Sequence, residues 1–173
     1  MTADTAHVPA ELDARHFRDV LGRFPTGVVA VTGFESGAGA PVGLAVNSFT
    51  SVSLRPPLVS FCVAHTSSSW PRLRTAHRLA VNILGEDQRQ VSRDLAAKSV
   101  QGDKFVNLRW SRSAGGTPII ADTPAWLECT VTAEHPAGDH LIVVAAVHHF
   151  QHAHDGGPLV FFRGGYGRFA PTG

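Results

Sequence analysis

The chain is poor in charge and in long apolar runs, and each shortage excludes a class of protein. Only 17% of its 173 residues are charged and the formal net charge is +1, so no broad electrostatic field favours nucleic acid or an anionic membrane as a partner. The longest apolar run, Leu141–Val147, is far too short to cross a bilayer. The composition therefore favours a small molecule as the ligand.

Cysteine is also scarce. Cys62 lies in the apolar run Leu58–Ala64 and Cys129 in Trp126–Ala133, and we interpret both as small buried residues with reduced thiols, although two cysteines alone cannot exclude a bridge. Residues 1–12 lack the apolar core of a signal peptide. We therefore expect a cytoplasmic protein that is not exported.

The common nucleotide and hydrolase motifs are missing from the sequence. Gly37 and Gly39 form only an isolated G-x-G in a predicted hairpin loop, and the P-loop pattern is absent. No G-x-S-x-G elbow surrounds Ser48 or another serine, and no H-E-x-x-H motif occurs. A nucleotide must then be held in some other way, and triad hydrolysis and zinc proteolysis are disfavoured.

The length suits one domain, which we place at residues 11–173 after a flexible leader at 1–10. Helical spacing from Phe17 to Phe24 predicts an opening helix, and a short helix to about Ala76 and a polar helix over Asp87–Lys98 follow later. Seven strands are predicted at Val28–Phe34, Val42–Thr50, Leu58–Ala64, Leu79–Leu84, Trp126–Glu134, Leu141–Phe150 and Leu159–Phe162. Because strand and helix do not alternate regularly, we predict a mainly β protein, an antiparallel β-barrel with peripheral helices.

The segment from Asn47 to Ser53 is dense in polar groups within a weakly charged stretch. Its amide, its four hydroxyls and its backbone groups could bind a flat heteroaromatic ligand with alternating donors and acceptors. The alternative is an ordinary strand and turn in which the hydroxyls satisfy their own backbone.

Two further segments suit an anionic group. The serines Ser67, Ser68 and Ser69 could cap the next helix, or could bind a phosphate together with nearby arginines. Lys104 stands beside Phe105 after the polar helix, and the alternative there is a solvated turn with Phe105 in the core.

Two residues are candidates for the rim of a sheet. A Gly-Asp turn delivers His140 to the start of an apolar strand, and Tyr166, the only tyrosine, lies among glycines where a ligand can approach closely. The alternatives are a rim histidine without a role and a packing tyrosine.

The histidine-rich stretch does not predict a metal site. In an extended strand His148, His152 and His154 share a face, but His148 and His152 then lie roughly 13 Å apart, too far for one ion. A solvated edge strand is the simpler interpretation, a site completed by another strand or subunit is the alternative, and we predict no metal.

Taken in order, these segments resemble the short-chain flavin reductase family, the FMN-binding split-barrel enzymes that serve as reductase components of two-component monooxygenases. The resemblance runs from Phe17 to Phe169. Its motifs stand at Phe24–Val28, Val46–Pro57, Ser67–Pro71, Leu79–Leu84, Gly102–Phe105, Ala125–Cys129, Gly138–His140 and Pro158–Tyr166.

The resemblance implies a homodimer of Greek-key split barrels that binds FMN or FAD in a groove near the subunit interface, uses NADH or alternatively NADPH, and supplies a flavin-dependent monooxygenase. It implies flavin contacts, largely through backbone, from Thr26, Gly27, Asn47, Ser48, Phe49, Thr50, Ser51, Val52 and Ser53. The phosphate end would be held by Ser67, Ser68, Ser69 and Lys104, with Phe105 packed nearby. The nicotinamide would lie between His140, the catalytic candidate, and Tyr166.

The expected reaction is hydride transfer from nicotinamide to flavin, in which the protein stacks two rings and needs no general base. His140 is then a positioning and electrostatic residue. Two other functions stay open: a split-barrel protein that retains its flavin and acts as an oxidase or tailoring enzyme on an organic substrate, and a non-enzymatic barrel that binds a small ligand.

Overall fold

The structure, a computed structural model, describes residues 13–97 and 104–172. The predicted leader at 1–10 lies outside the described residues. Three helices occur in this part of the chain, at α1 Ala14–Leu21, α2 Trp70–Leu73 and α3 Arg89–Ala96. The strands are β1 Thr26–Gly27, β2 Val29–Phe34, β3 Pro41–Val46, β4 Thr50–Leu54, β5 Pro57–Ala64, β6 Leu79–Ile83, β7 Trp110–Arg112, β8 Pro118–Ile120, β9 Ala125–Ala137, β10 His140–His152, β11 Leu159–Phe162 and β12 Gly165–Arg168.

The central sheet has seven strands in the order β3-β2-β6-β9-β10-β5-β4, with antiparallel neighbours throughout. A flat sheet of this width would separate β3 from β4 by roughly 29 Å, because each strand spacing is about 4.8 Å. Residues 47–49, which join these two edge strands, span at most about 14 Å. The sheet must therefore curl until its borders approach, which confirms the predicted antiparallel barrel.

Two smaller sheets flank the barrel, in the order β1-β11-β12 and as the hairpin β7-β8. Helix α3 packs on β3 and β2 from outside, and α2 contacts the same two strands while its Trp70 and Leu73 join the apolar cluster of the barrel interior. No residue of α1 is buried, and its apolar side chains Phe17, Val20 and Leu21 are all more than half exposed. None of the helices in the described ranges is long and apolar enough to span a membrane.

The barrel interior is filled by one face of each strand. On β5, Val59, Phe61 and Val63 are buried, and the residues between them face the other way. Cys62 is one of these and is only partly buried, so the prediction of a core cysteine there was wrong, whereas Cys129 is buried as predicted. Both cysteines are free thiols.

A second apolar cluster joins α3 to the outside of the barrel. Leu95 of α3 packs there with Ala30, Leu84 and Leu159, and Phe105 is 4% exposed in the same cluster. The polar helix is therefore fixed against the barrel by its single apolar stripe. This attachment determines where the residues that follow α3 meet the strands.

The prediction of one continuous strand over Val42–Thr50 was wrong. Strand β3 ends at Val46, the backbone bends at Asn47, and β4 begins at Thr50 on the opposite border of the sheet. Alternating residue types continue through the bend, so the pattern alone did not reveal it. The bend carries the chain from one border strand of the sheet to the other.

Other boundaries also differ from the predictions. Helix α1 ends at Leu21 and not at Phe24, α2 ends at Leu73 and not near Ala76, and α3 occupies only Arg89–Ala96 of the predicted polar helix. The end of that prediction, Lys98, lies outside the described residues. The strands that sequence analysis missed are short or rich in glycine or hydroxyl residues: β1, β4, β7, β8 and β12.

Candidate active site

A groove of about 320 Å³ lies where the borders of the barrel meet, a volume typical of sites for small organic ligands. One wall is the end of β3 with Asn47 and Ser48, and the other is the end of β5 with the loop that leads to α2. The C-terminal turn of α3 and Lys104 close one end, and His140, the first residue of β10, stands at the groove as well.

One cation and one hydroxyl of the groove, those of Lys104 and Ser69, are directly bonded to each other. The Lys104 ammonium donates to Ser69 Oγ at 3.1 Å and to the Leu95 carbonyl at 2.8 Å. Burial, together with the nearby Arg72 charge, lowers the pKa of Lys104 from its ordinary value of 10.5. Ser67 Oγ accepts from the Trp70 backbone N–H at 3.2 Å and so caps α2.

Ser69 stands at the N-cap position of α2 but its side chain makes no capping bond there. Its hydroxyl is instead held by the Lys104 ammonium, and the serine is 5% exposed. Ser68, next to it, is exposed and also lines the groove. A cation with adjacent hydroxyls is the donor set that an oxyanion such as a phosphate requires.

His140 is oriented by its neighbour in the chain. Its Nδ1 lies 2.6 Å from Asp139 Oδ1, and because a carboxylate oxygen only accepts, Nδ1 must carry the hydrogen. This bond and the His140 charge hold the pKa of Asp139 below its ordinary value of 3.8. Nε2 of His140 is thereby left for a ligand in the groove.

A smaller cavity of about 150 Å³ adjoins the groove and shares Ala45, Val46, Asn47 and Ala96 with it. Its other walls include Ser92 of α3 and the pair Phe161 and Tyr166 from the hairpin β11-β12. The two cavities therefore form one depression. Its polar end has Lys104 and the serines, its aromatic end has Phe161 and Tyr166, and His140 also lines it.

The structure brings most of the polar residues predicted for the site together. The groove is lined by Asn47, Ser48, Ser67, Ser68, Ser69, Lys104 and His140, and the adjoining cavity by Tyr166. The remaining predicted residues lie elsewhere: Phe105 is in the core, Phe49 packs against the barrel interior, and Thr50, Ser51, Val52 and Ser53 form the border strand β4.

Thr26 and Gly27 are outside the lining of both cavities. They form β1, which pairs Thr26 with Phe161 and Gly27 with Val160, and so runs beside a wall of the smaller cavity. The Thr26 hydroxyl oxygen is buried and has no hydrogen-bond partner among the described residues. A buried hydroxyl without a partner is costly, and a polar ligand is one way to satisfy it.

Sequence analysis missed several residues of the depression, chiefly Cys62, Thr66, Ser92, Ala96 and Ala97. Cys62 was interpreted as core, but the alternation along β5 places it with Ser60 and Ala64 on the face opposite Phe61. That alternation was the signal that could have found it. Ser92 is one polar residue in a polar helix, and no pattern distinguished it.

The histidine-rich stretch at the end of β10 contacts neighbouring strands and loops, with the His149 ring 5.3 Å from that of Trp126 and His154 Nε2 3.2 Å from the Asp122 carbonyl oxygen. His148 Nε2 lies 2.7 Å from Thr130 Oγ1, and His152 Nε2 lies 3.1 Å from Asp155 Oδ1. Within residues 13–97 and 104–172, no three His, Cys, Asp or Glu side chains are arranged to hold a metal ion.

Comparison with known proteins identifies the family of the chain. The sequence profile of the flavin reductase like domain matches residues 21–170. A flavin reductase of Pseudomonas putida is 44% identical over 163 residues, which are 94% of this chain and 94% of that protein. The nitrilotriacetate monooxygenase component B homologue of Mycobacterium thermoresistibile has a crystal structure that superposes with a TM-score of 0.85 at 42% identity, covering 92% of this chain and 88% of that one.

A third relative was solved with ligands. The NADH:FAD oxidoreductase SgcE6 of Streptomyces globisporus, in complex with NAD and FAD fragments, has a TM-score of 0.84 and 38% identity, and the match covers 94% of this chain and 98% of that one.

Proposed function

We propose, since this chain belongs to the flavin reductase like family, that it is an NAD(P)H:flavin oxidoreductase that reduces FMN or FAD and passes the reduced flavin to a partner monooxygenase. The observation that carries the proposal is that one groove is lined by Lys104, by the serines Ser67, Ser68 and Ser69, and by His140. A ligand bound in this groove can contact the cation and the histidine at the same time. The absence of a Rossmann fingerprint agrees with a nucleotide that is held by the barrel alone.

The residues present fit a flavin. The phosphate end is assigned to Ser67, Ser68, Ser69 and Lys104, where a half-buried ammonium and hydroxyl groups suit an oxyanion. Asn47 and Ser48 stand between this end and the smaller cavity, and we place the polar edge of the isoalloxazine there.

Several proposed flavin neighbours are supported more indirectly. Thr26 has a buried hydroxyl without a partner among the described residues, and Gly27, beside it, has open space where a side chain would stand. The segment from Phe49 to Ser53 lies outside the groove lining and directly follows Asn47 and Ser48, which line it. We keep these residues, with Phe105 behind the phosphate end, as flavin neighbours.

We assign the nicotinamide to the space between His140 and Tyr166. His140 has a fixed tautomer and a free Nε2, and Tyr166 forms a wall of the adjoining cavity. The bound flavin supplies the hydride-accepting ring. The protein residues orient the two rings and exclude water, and because the transferred group is a hydride no side chain has to move a proton in that step.

We propose further that the active form is a homodimer. Val52 and Leu54 of the border strand β4 are 53% and 88% exposed, and Ile142 of β10 is 38% exposed. Strand β4 has a free edge, where exposed apolar side chains invite a second chain, and Ile142 of the inner strand β10 adds exposed apolar surface. The free thiols of Cys62 and Cys129 agree with a cytoplasmic location, and we treat residues 11–173 as one domain.

The supply of reduced flavin to an oxygenase is supported by the relatives. The Mycobacterium thermoresistibile protein is named as a monooxygenase component, and this chain matches it over nearly its whole length. A wide groove formed by hydroxyl and backbone groups, without a deep enclosure, suits a flavin that must leave after reduction.

The proposal is tested by mixing the purified protein with FMN or FAD and following the absorbance of NADH and of NADPH. We expect nicotinamide oxidation that depends on added flavin. Tight stoichiometric flavin with negligible NADH oxidation would indicate the retained-flavin alternative, and no flavin binding at all would indicate a non-enzymatic barrel.

A further inference from the structure

The ring of Tyr166 is held on three sides. Its hydroxyl oxygen lies 2.9 Å from Ser92 Oγ, the Phe161 ring packs edge-on with centroids 5.4 Å apart, and the guanidinium carbon of Arg93 lies 5.8 Å from the ring centroid. The remaining surface of the ring lines the smaller cavity. A side chain held by a hydrogen bond, a ring contact and a cation–π contact has little freedom to rotate.

Ser92 is an unusual residue for its place in α3. It is 2% exposed and, with Leu95, it belongs to the buried stripe by which the helix packs on the barrel. A hydroxyl at such a position costs free energy unless it is bonded. Serine hydroxyls inside helices commonly return to a carbonyl of their own helix, but this one reaches a residue 74 positions along the chain.

The bond connects two different parts of the depression. Ser92 belongs to the helix whose last turn, with Leu95 and Ala96, also lines the flavin groove, and Tyr166 belongs to the small sheet β1-β11-β12. The bond thereby joins helix α3 to the β1-β11-β12 sheet at the aromatic end of the site. The position of the ring relative to the groove then depends on this contact.

We propose that Ser92 is a positioning residue for Tyr166, fixing the ring as a wall against which the nicotinamide binds. The inference rests on the proposed function, since it needs a pyridine nucleotide in the cavity. Arg93 assists by lying over the ring. Ser92 itself acts through Tyr166 and has no direct part in hydride transfer.

The kinetic test compares Ser92→Ala, Tyr166→Phe and the double variant. Each single change removes one hydroxyl of the same bond, so each should raise the KM for NADH about fivefold, the effect of one lost hydrogen bond, with flavin affinity changed less than about twofold. Because the two hydroxyls act as a pair, the double variant should be no worse than the more impaired single variant.

A spectroscopic test needs no activity. Since Tyr166 is the only tyrosine, protein labelled with carbon-13 at tyrosine Cζ gives one resonance that reports the hydrogen bond of this hydroxyl. The resonance should shift in Ser92→Ala and return towards the wild-type position in Ser92→Thr, which keeps a hydroxyl. Thr132→Ala is the matched control, because it removes a hydroxyl that bonds the Val144 carbonyl outside both cavities.

Several outcomes would overturn the proposal. An unchanged resonance in Ser92→Ala would show that the bond does not hold the ring, and multiplicative kinetic effects in the double variant would show that the two residues act separately. Equal loss of flavin affinity and of NADH use, with a lower melting temperature, would reduce Ser92 to a structural role. If the wild-type protein oxidises no NADH with any flavin, the proposed function fails, whereas the resonance still decides whether Ser92 fixes the ring.

Discussion

The hydroxyl oxygen of Ser48 accepts a hydrogen bond from the backbone N–H of Cys62 at 2.8 Å and lies 3.2 Å from the carbonyl oxygen of the same residue. Strand β4 begins at Thr50, which pairs with Ser60, so Ser48 lies ahead of the regular backbone pairing. The Ser48 side chain takes the place of a backbone partner for Cys62. The contact holds the bend after Asn47 against β5, at the wall of the groove.

Replacing Ser48 by alanine should loosen this wall. The Cys62 backbone groups lose their partner, so we expect the free energy of unfolding to fall by about 1 kcal/mol and flavin affinity to fall several-fold. Flavin fluorescence titration and urea unfolding measure the two effects. Ser111→Ala, an exposed serine of β7 outside the groove lining, is the matched control. Unchanged flavin affinity in Ser48→Ala would contradict the role of this contact.

The variant Lys104→Met should distinguish binding of the flavin phosphate from binding of the flavin ring. We expect affinity for FMN to fall about tenfold, the effect of losing one charge-assisted bond, while affinity for riboflavin, which lacks the phosphate, changes little. Titration with both flavins makes the comparison within one variant. Arg89→Met removes an exposed cation outside the groove and should leave both affinities unchanged. An equal loss of affinity for FMN and for riboflavin would contradict the assignment of Lys104 to the phosphate end of the flavin.

His140→Ala should weaken the use of NADH and leave flavin binding nearly intact. The histidine stands at the groove with Nδ1 bonded to Asp139, and its loss removes the group that we propose faces the nicotinamide. We expect a rise of about tenfold in the KM for NADH at saturating flavin. Steady-state kinetics and a flavin titration measure the two quantities. Equal loss of both would count against a nicotinamide role.

Glu128→Gln should destabilise the protein without changing the site. Glu128 is 2% exposed and accepts hydrogen bonds from Thr117 Oγ1 at 2.7 Å and from Ser113, which fixes the β7-β8 hairpin to β9. Without the carboxylate we expect a loss of about 1–3 kcal/mol in the free energy of unfolding at neutral pH. Glu134→Gln, which breaks a surface pair with Arg74, should cost less than about 1 kcal/mol.

The same variant has a defined pH dependence. Burial raises the pKa of Glu128, but the hydroxyl bonds from Ser113 and Thr117 and the nearby charges of Arg78 and His149 outweigh it and hold the pKa below its ordinary value of 4.5. The carboxylate therefore contributes its full stability above that ordinary value and loses it as the pH falls through the lowered pKa. The difference in the free energy of unfolding between wild type and Glu128→Gln should shrink as the pH becomes acidic. A difference that widens in acid would contradict a lowered pKa of Glu128.

Much of the barrel could be predicted from the sequence because its long strands carry regular apolar patterns. Strand β5, predicted at Leu58–Ala64, occupies Pro57–Ala64, and β11 lies at Leu159–Phe162 as predicted. The border strand β4 could not be separated from β3, because the bend at Asn47 is stabilised by a partner, Cys62, that is distant in the chain. Periodicity reports which face a residue occupies and contains nothing about such a contact.

The site was predictable to the extent that its residue types are unusual for their surroundings. The serines before α2 and His140 after a Gly-Asp turn stand out locally, and both meet at the groove. Ser92 did not stand out, because its role depends on Tyr166, a residue on an unpredicted glycine-rich strand. A polar helix position becomes informative only when its partner across the fold is known.

The groove is built from the border strand β3 and from the end of β5, which belong to opposite sides of one curled sheet, and it exists only when these two strands are close together. A ligand bound in the groove contacts both strands and holds them together. Because it binds the closed form and has no counterpart site on the open chain, occupancy at about a hundredfold above Kd should raise resistance to unfolding by about 2.7 kcal/mol. The flavin-saturated protein should therefore resist thermal unfolding better than the empty protein does.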